Sequence, residues 1–170
     1  KFARNTLVVF SSDHGDALAR RKMVQKWTPY EESMRVPLVI CLPGAEDGDG
    51  RTDPRHLVSG LDIAPTLCDF AGIDAPPRAV GRSLKPLVEG RTPEWREFLV
   101  SELNITGRML RTPEYKYVAY QGDPVEQLFD MREDPLELRD LSGDPKHASV
   151  LTDLRKRLGD WESRLEVPGA

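Results

Sequence analysis

The stretch that decides the fold is residues 6–16, Thr6-Leu7-Val8-Val9-Phe10-Ser11-Ser12-Asp13-His14-Gly15-Asp16. Leu7 to Phe10 is a continuous apolar run, the pattern of a strand covered on both faces, usually a central strand of a parallel sheet. Ser11 to Asp16 then makes a polar loop at the strand's carboxyl end, where open α/β sheets place ligands. A central strand needs neighbours, and nothing before residue 6 supplies one. Its partners either come later, or the chain is the back portion of a longer protein.

Outward from that strand, residues 16–33 read as loop plus a short helix near Tyr30–Met34. Residues 36–42 form a second buried strand, ended by Pro43-Gly44, and 44–55 (GAEDGDGRTDPR) read as an acidic surface loop. Asp62 is expected to cap a helix through Ala71, with Ile63, Leu67 and Phe70 on one side and Gly72 closing it. Segment 76–94, broken by Pro and Gly, reads as a wrap over the surface. Short β-like runs follow at 98–101, 107–111, 115–120 and 127–130, separated by turn residues, and predict an antiparallel sheet. Val150, Leu151, Leu154, Leu158, Trp161 and Leu165 make a helical stripe over 147–165 that should pack on one face of that sheet. The fold class is α/β: a partial mixed sheet over 1–94, then a small α+β subdomain over 95–170.

The composition fits a packed protein. Of 170 residues, 39% are hydrophobic and 31% charged, enough to bury a core. With 24 basic against 28 acidic residues the formal charge is −4, which argues against nucleic acid or an anionic membrane as partner. No apolar run reaches the roughly 18–20 residues that a spanning helix needs. Cys41 and Cys68 form no CxxC pair and read as small buried hydrophobes.

The chemistry concentrates near the first strand. Adjacent Asp13 and His14 can offer one oxygen and one nitrogen to a single metal ion, although a hard cation wants about six donors. Lys26 supplies a point charge suited to an oxyanion that the metal also polarises. Arg20, Arg21 and Lys22 form a basic cluster that either lines an anion pocket or is a solvated loop. Glu31 and Glu32 are neighbours on a helix and do not face each other, so pairing with Arg35 is the expectation.

Residues 5–44, NTLVVFSSDHGDALARRKMVQKWTPYEESMRVPLVICLPG, closely resemble the signature of the sulfatase family, in the alkaline-phosphatase-like superfamily. Val58 to Leu67 (VSGLDIAPTL) resembles the family's next block, as does Gly81-Arg82-Ser83-Leu84 with Pro86-Leu87. Arg111-Thr112 with Tyr115-Lys116-Tyr117, and Leu128-Phe129-Asp130 with Asp134-Pro135, resemble its C-terminal subdomain. The resemblance implies an alkaline-phosphatase-like sheet over 1–94, the C-terminal portion of the catalytic domain, followed by that subdomain. It implies that Asp13 and His14 are ligands of a divalent ion, commonly Ca2+, with Mn2+ or Mg2+ also admissible. It implies that Lys26 touches the sulfate group, as a catalytic and substrate-binding residue. The family's nucleophile is a formylglycine made within C-x-P-S-R or S-x-P-S-R, and its hydrate attacks sulfur. Neither motif occurs in these 170 residues; Cys41-Leu42-Pro43-Gly44-Ala45 lacks the Ser and Arg. The nucleophile would therefore lie in a missing N-terminal part of the same protein. Many members have His about where Arg21 stands; Arg there implies a further anionic group on the substrate.

The implied activity is hydrolysis of small-molecule or carbohydrate sulfate esters, with the fragment inactive alone. A phosphonate or phosphate ester hydrolase of the same superfamily, and a non-catalytic binding module, remain as alternatives.

Overall fold

The computed structural model describes residues 4–44, 50–103 and 106–165. Two compact units emerge: Lys1–Gly15 with Arg35–Arg96, and Asp16–Met34 with Glu97–Ala170. The segment between the first two strands thus belongs with the C-terminal half.

In the first unit, β1 (Val8–Ser11) pairs antiparallel with β2 (Leu38–Cys41), in the register Val8 with Cys41 and Phe10 with Val39. Side chains alternate along a strand, so these four share one face. That face is open: Val8 is 53% exposed, Phe10 61% and Val39 49%. The expectation of two buried strands in a parallel setting is corrected to an antiparallel ribbon with a bare apolar face. Continuous apolarity reports what a strand can bury, not whether these residues supply the cover. Cys41 is exposed and Cys68 half-buried, so neither is a core residue. Of the expected acidic loop, residues 45–49 lie outside the described residues.

A one-turn 3-10 segment (Gly60–Asp62) leads into α2 (Ile63–Ala71), which Gly72 closes in the left-handed conformation at φ 69°. Asp62 does not cap α2 through its side chain. Instead its carboxylate, fully buried, accepts from the Ser59 amide at 2.8 Å and the Arg82 amide at 2.8 Å. Arg96 completes it with a forked pair, Nη1 to Oδ2 at 2.5 Å and Nη2 to Oδ1 at 2.6 Å. Gly81 is what permits this approach: a Cβ there would stand 2.0 Å from the Leu61 carbonyl oxygen. The 76–94 wrap is therefore pinned to α2 and carries a short helix, α3 (Lys85–Val88), that was not expected. Thr66 Oγ1 receives the Leu84 amide at 2.8 Å, and Asp69 receives Ser83 Oγ at 2.6 Å and Lys85 Nζ at 3.1 Å. Ser83 first, then Lys85, hold the Asp69 carboxyl below its ordinary value.

In the second unit, β3 (Leu99–Leu103), β4 (Gly107–Arg111), β5 (Tyr115–Tyr120) and β6 (Glu126–Asp130) form an antiparallel meander in chain order, as the turn spacing predicted. The C-terminal helix, α4 (Ala148–Glu162), lays Leu154 and Leu158 on Leu110, Tyr117, Leu128 and Leu141, with Val150, Leu151 and Trp161 at the margin. Leu165 falls outside the helix and is exposed. The other sheet face is buried too: Leu103, Met109 and Val118 form a second cluster against Met34. Met34 sits in α1 (Glu31–Met34), so the 16–34 segment covers the face opposite α4. Among the described residues no helix is long and apolar enough to cross a membrane.

Two outcomes test this packing. Arg96→Met strands the Asp62 carboxylate in the interior, and removing one partner of a buried pair costs about 3–5 kcal/mol. Urea unfolding followed by Trp95 fluorescence, whose indole donates to the Leu57 carbonyl at 2.7 Å, reads that loss; less than about 1 kcal/mol would contradict it. Burial, then the hydrogen bond to Glu126, pushes the Tyr117 phenol up to about 12 from 10.0. A raised value in the fold means stability is fully present below pH 10 and is lost as pH climbs toward 12. Denaturant midpoints at pH 9 and 11 should differ in the parent chain, and the difference should shrink in Tyr117→Phe, leaving the part due to Tyr120, whose phenol is also raised by burial.

Candidate functional site

Asp13 and His14 follow β1 directly, where the polar loop begins. Ser12 Oγ donates to the His14 carbonyl at 2.8 Å, and the His14 amide donates to Asp13 Oδ1 at 3.0 Å, folding the dipeptide into a tight turn. The turn sets both side chains on one side, with His14 Nε2 3.5 Å from Asp13 Oδ2. The other ring nitrogen, Nδ1, lies 2.7 Å from the Gly15 carbonyl oxygen. A carbonyl only accepts, so Nδ1 carries the hydrogen and the neutral ring keeps its lone pair on Nε2. In that tautomer Nε2 turns its lone pair toward the carboxylate oxygen. Two donors each about 2.3–2.6 Å from one hard cation and at right angles lie roughly 3.3–3.7 Å apart, and this pair fits. The Asp13 carboxylate is 82% exposed and His14 38% exposed, so both are accessible. Among the described residues no cluster of three or more His, Cys, Asp or Glu could hold a metal.

Arg21 and Lys26 belong to the other unit, on a segment of unusual backbone. Leu18, Ala19, Arg21, Lys22 and Gln25 all have positive φ, between 46° and 68°, though none is glycine. Each such residue costs about 1–2 kcal/mol, so the segment needs outside contacts to hold its shape. Some bonding is internal: the Ala17 amide donates to the Gln25 carbonyl at 3.0 Å and closes the loop. Lys26 is exposed at its foot, and among the described residues its ammonium has no ion-pair partner.

The basic cluster resolves into separate parts. Arg20 Nε pairs with Glu32 Oε1 at 2.6 Å. Arg21 Nη1 donates to the Glu137 carbonyl at 2.9 Å, Nη2 donates to the Leu136 carbonyl, and the guanidinium lies 4.0 Å from the Tyr30 ring centre. Glu31 and Glu32 do not turn to Arg35; they pair with Lys116 and Arg20 instead, because the segment folds over the sheet.

Lys116 was not foreseen as important. It is wholly buried on β5, and its Nζ lies 2.6 Å from Glu31 Oε1, 2.6 Å from Glu137 Oε1 and 3.0 Å from the Pro29 carbonyl. Glu137 Oε2 accepts the Glu31 amide at 2.8 Å. Burial pushes the Glu137 carboxyl up, opposed by Lys116. A lysine at the second position of the otherwise uncharged strand Tyr115–Tyr120 was the available sequence signal.

The family described as N-sulphoglucosamine sulphohydrolase, C-terminal, matches residues 21–164. A delta 4,5-hexuronate-2-O-sulfatase of Bacteroides thetaiotaomicron is 38% identical over 170 residues, 95% of this chain and 35% of that protein. The structure of a 2-O GAG sulfatase aligns with a TM-score of 0.84 at 37% identity, covering 95% of this chain and 37% of the other. A phosphonate monoester hydrolase of Agrobacterium radiobacter aligns at 0.83 and 30% identity, covering 95% and 36%. The chain thus spans about a third of the length of the relatives it matches. Sulfatases generally use a divalent metal. The match over most of its length, with the alkaline-phosphatase-like neighbours, makes this chain a C-terminal part belonging to the sulfatase family.

Proposed function

We propose that this chain is the part of a sulfuric ester hydrolase that supplies two metal ligands and a sulfate-contacting lysine. The observation that carries the reading is the pairing of the His14 Nε2 lone pair with the Asp13 carboxylate at 3.5 Å, a separation suited to one shared cation. Asp13 Oδ2 and His14 Nε2 would hold that ion, Ca2+ first, with Mn2+ or Mg2+ compatible with a mixed oxygen and nitrogen pair. When bound, the metal would polarise the sulfate and offset its charge. The Gly15 carbonyl keeps His14 in the tautomer that leaves Nε2 available. Lys26 would set its ammonium against a sulfate oxygen, with no carboxylate among the described residues paired to it. The formylglycine nucleophile and the remaining ligands would come from an N-terminal portion of the same protein. On this reading, residues 1–94 complete the catalytic domain and 95–170 form the subdomain behind it.

The substrate we favour is a sulfated carbohydrate, since relatives at 37–38% identity are named for hexuronate and GAG sulfates. Arg21 is our candidate for contacting a further anionic group, although its observed bonds to Leu136 and Glu137 favour anchoring. The phosphonate monoester hydrolase, similar over the same residues, supports a second reading in which the ester acted on is a phosphonate.

The test is hydrolysis by the full-length protein of an aryl sulfate, a 2-O-sulfated uronide and a phenylphosphonate monoester. Lys26→Ala should lower kcat/KM for the sulfate ester about 10- to 150-fold, the equivalent of one charge-assisted hydrogen bond of roughly 1.5–3 kcal/mol. His14→Ala should weaken metal binding measured by calorimetry, and with it turnover. Preference for the phosphonate would shift the assignment to the second reading, and unchanged kcat/KM in Lys26→Ala would remove the lysine from it. Arg21→Ala should slow charged sulfate esters more than neutral ones; equal effects would leave Arg21 as an anchor alone.

A further inference from the structure

We infer that Lys116 and Glu137 are positioning residues for the lysine-bearing loop: the buried ion cluster on the sheet holds residues 16–34 in the strained conformation that presents Lys26. This deepens, and rests on, the reading of Lys26 as the sulfate contact.

Three observations converge. The loop around Lys26 carries its positive-φ residues, at 18, 19, 21, 22 and 25, within a few positions, and such a path persists only when its surroundings over-determine it. The restraints available to it come mainly from the sheet side of the same unit. At one end, Lys116 Nζ grips the Pro29 carbonyl at 3.0 Å and Glu31 at 2.6 Å, while Glu137 Oε2 takes the Glu31 amide at 2.8 Å. At the other end, Arg21 reaches the carbonyls of Leu136 and Glu137. Residue 137 therefore touches the loop on both sides of Lys26, with its side chain at 31 and its backbone at 21. Glu137 is itself held at a positive φ of 53°, on the turn that follows β6. Finally, Tyr30 stacks edge-on against Phe129 at 6.0 Å and lies under Arg21, tying the two ends together.

The ammonium donates to the Pro29 carbonyl and lies 2.6 Å from carboxylate oxygens of both Glu31 and Glu137, three groups on different parts of the unit. A shift of the loop would leave at least one of these buried charges without its partner, so loop and sheet share one arrangement. The cluster touches no proposed substrate group, which makes its members positioning residues rather than catalytic ones.

Both arms of the test use the full-length protein. The first is hydrogen–deuterium exchange in Lys116→Met, with the Ala17 and Glu31 amides as reporters. Exchange across 17–34 should rise tenfold or more while β3–β6 and α4 hold their protection. No change in the loop, or an equal rise throughout the sheet, would overturn the inference. Should Lys116→Met not fold, Glu31→Gln, at the half-buried edge of the cluster, must give the same pattern at about threefold or the inference falls. The second arm is a double-mutant cycle on sulfate-ester hydrolysis. If Lys116 acts through the loop, Lys26→Ala with Lys116→Met loses no more kcat/KM than Lys26→Ala alone. Full additivity of the two losses would overturn the inference, because a general structural defect adds. An inert Lys26→Ala would instead strike the functional reading, while the exchange result would still stand or fall by itself.

Discussion

A fully buried lysine ammonium imposes the strongest constraint on this molecule. Removing such an ion from solvent costs several kcal/mol, which opposite charges and acceptors held close to it must offset. Around Lys116 these are the Pro29 carbonyl and the Glu31 and Glu137 carboxylates, residues far apart in sequence. Apolar contacts such as Met34 on Met109 and Val118 tolerate small slips, whereas this cluster does not. It selects one pose of the 16–34 segment from the many that an apolar face alone would accept. A chain segment lying between β1 and β2 is thereby recruited to the second unit.

The first unit uses the same device with the sign reversed. Asp62 is a buried carboxylate completed by the Ser59 and Arg82 amides and the Arg96 fork. Around it the Gly60–Asp62 turn, the Gly81–Leu84 stretch and the end of the unit at Arg96 take fixed positions. Both hubs sit in blocks that resemble the family signature. The physical content of those blocks is partly architectural: VSGLDIAPTL and GRSL meet through Asp62 and Thr66, and YKY reaches the loop through Lys116.

Local chemistry was the legible part of the sequence. Turn residues at Pro113 and at Gly122-Asp123-Pro124 set the boundaries of β4, β5 and β6 to within a residue or so, and the apolar stripe of α4 named its own core contacts. The nearness of the Asp13 and His14 side chains was legible because adjacency alone lets a turn bring them together. What escaped was anything depending on a distant partner. The ribbon of β1 and β2 looked buried because its residues are apolar, yet one face is bare. Asp62 looked like a helix cap because its position suits one, while its partners stand 20 and 34 positions further on. Glu31 and Glu32 looked like partners for Arg35, since helical spacing is visible in a sequence and a fold-back is not. Nothing local distinguishes the backbone from Leu18 to Gln25, where positive φ falls on residues that ordinarily avoid it.

The chain is a C-terminal part belonging to the sulfatase family, and the proposed function makes it one part of a catalytic assembly. On the proposed reading it would supply two metal ligands at a strand end and a lysine on a braced loop; its relatives are about three times its length. The most direct test is to read the coding sequence upstream of Lys1. The account predicts a Cys or Ser in x-P-S-R context, preceded by a strand that ends in paired aspartates. A start codon immediately before residue 1, or an upstream sequence without such a nucleophile, would contradict it; a Thr in the nucleophile position would point to phosphoryl chemistry instead.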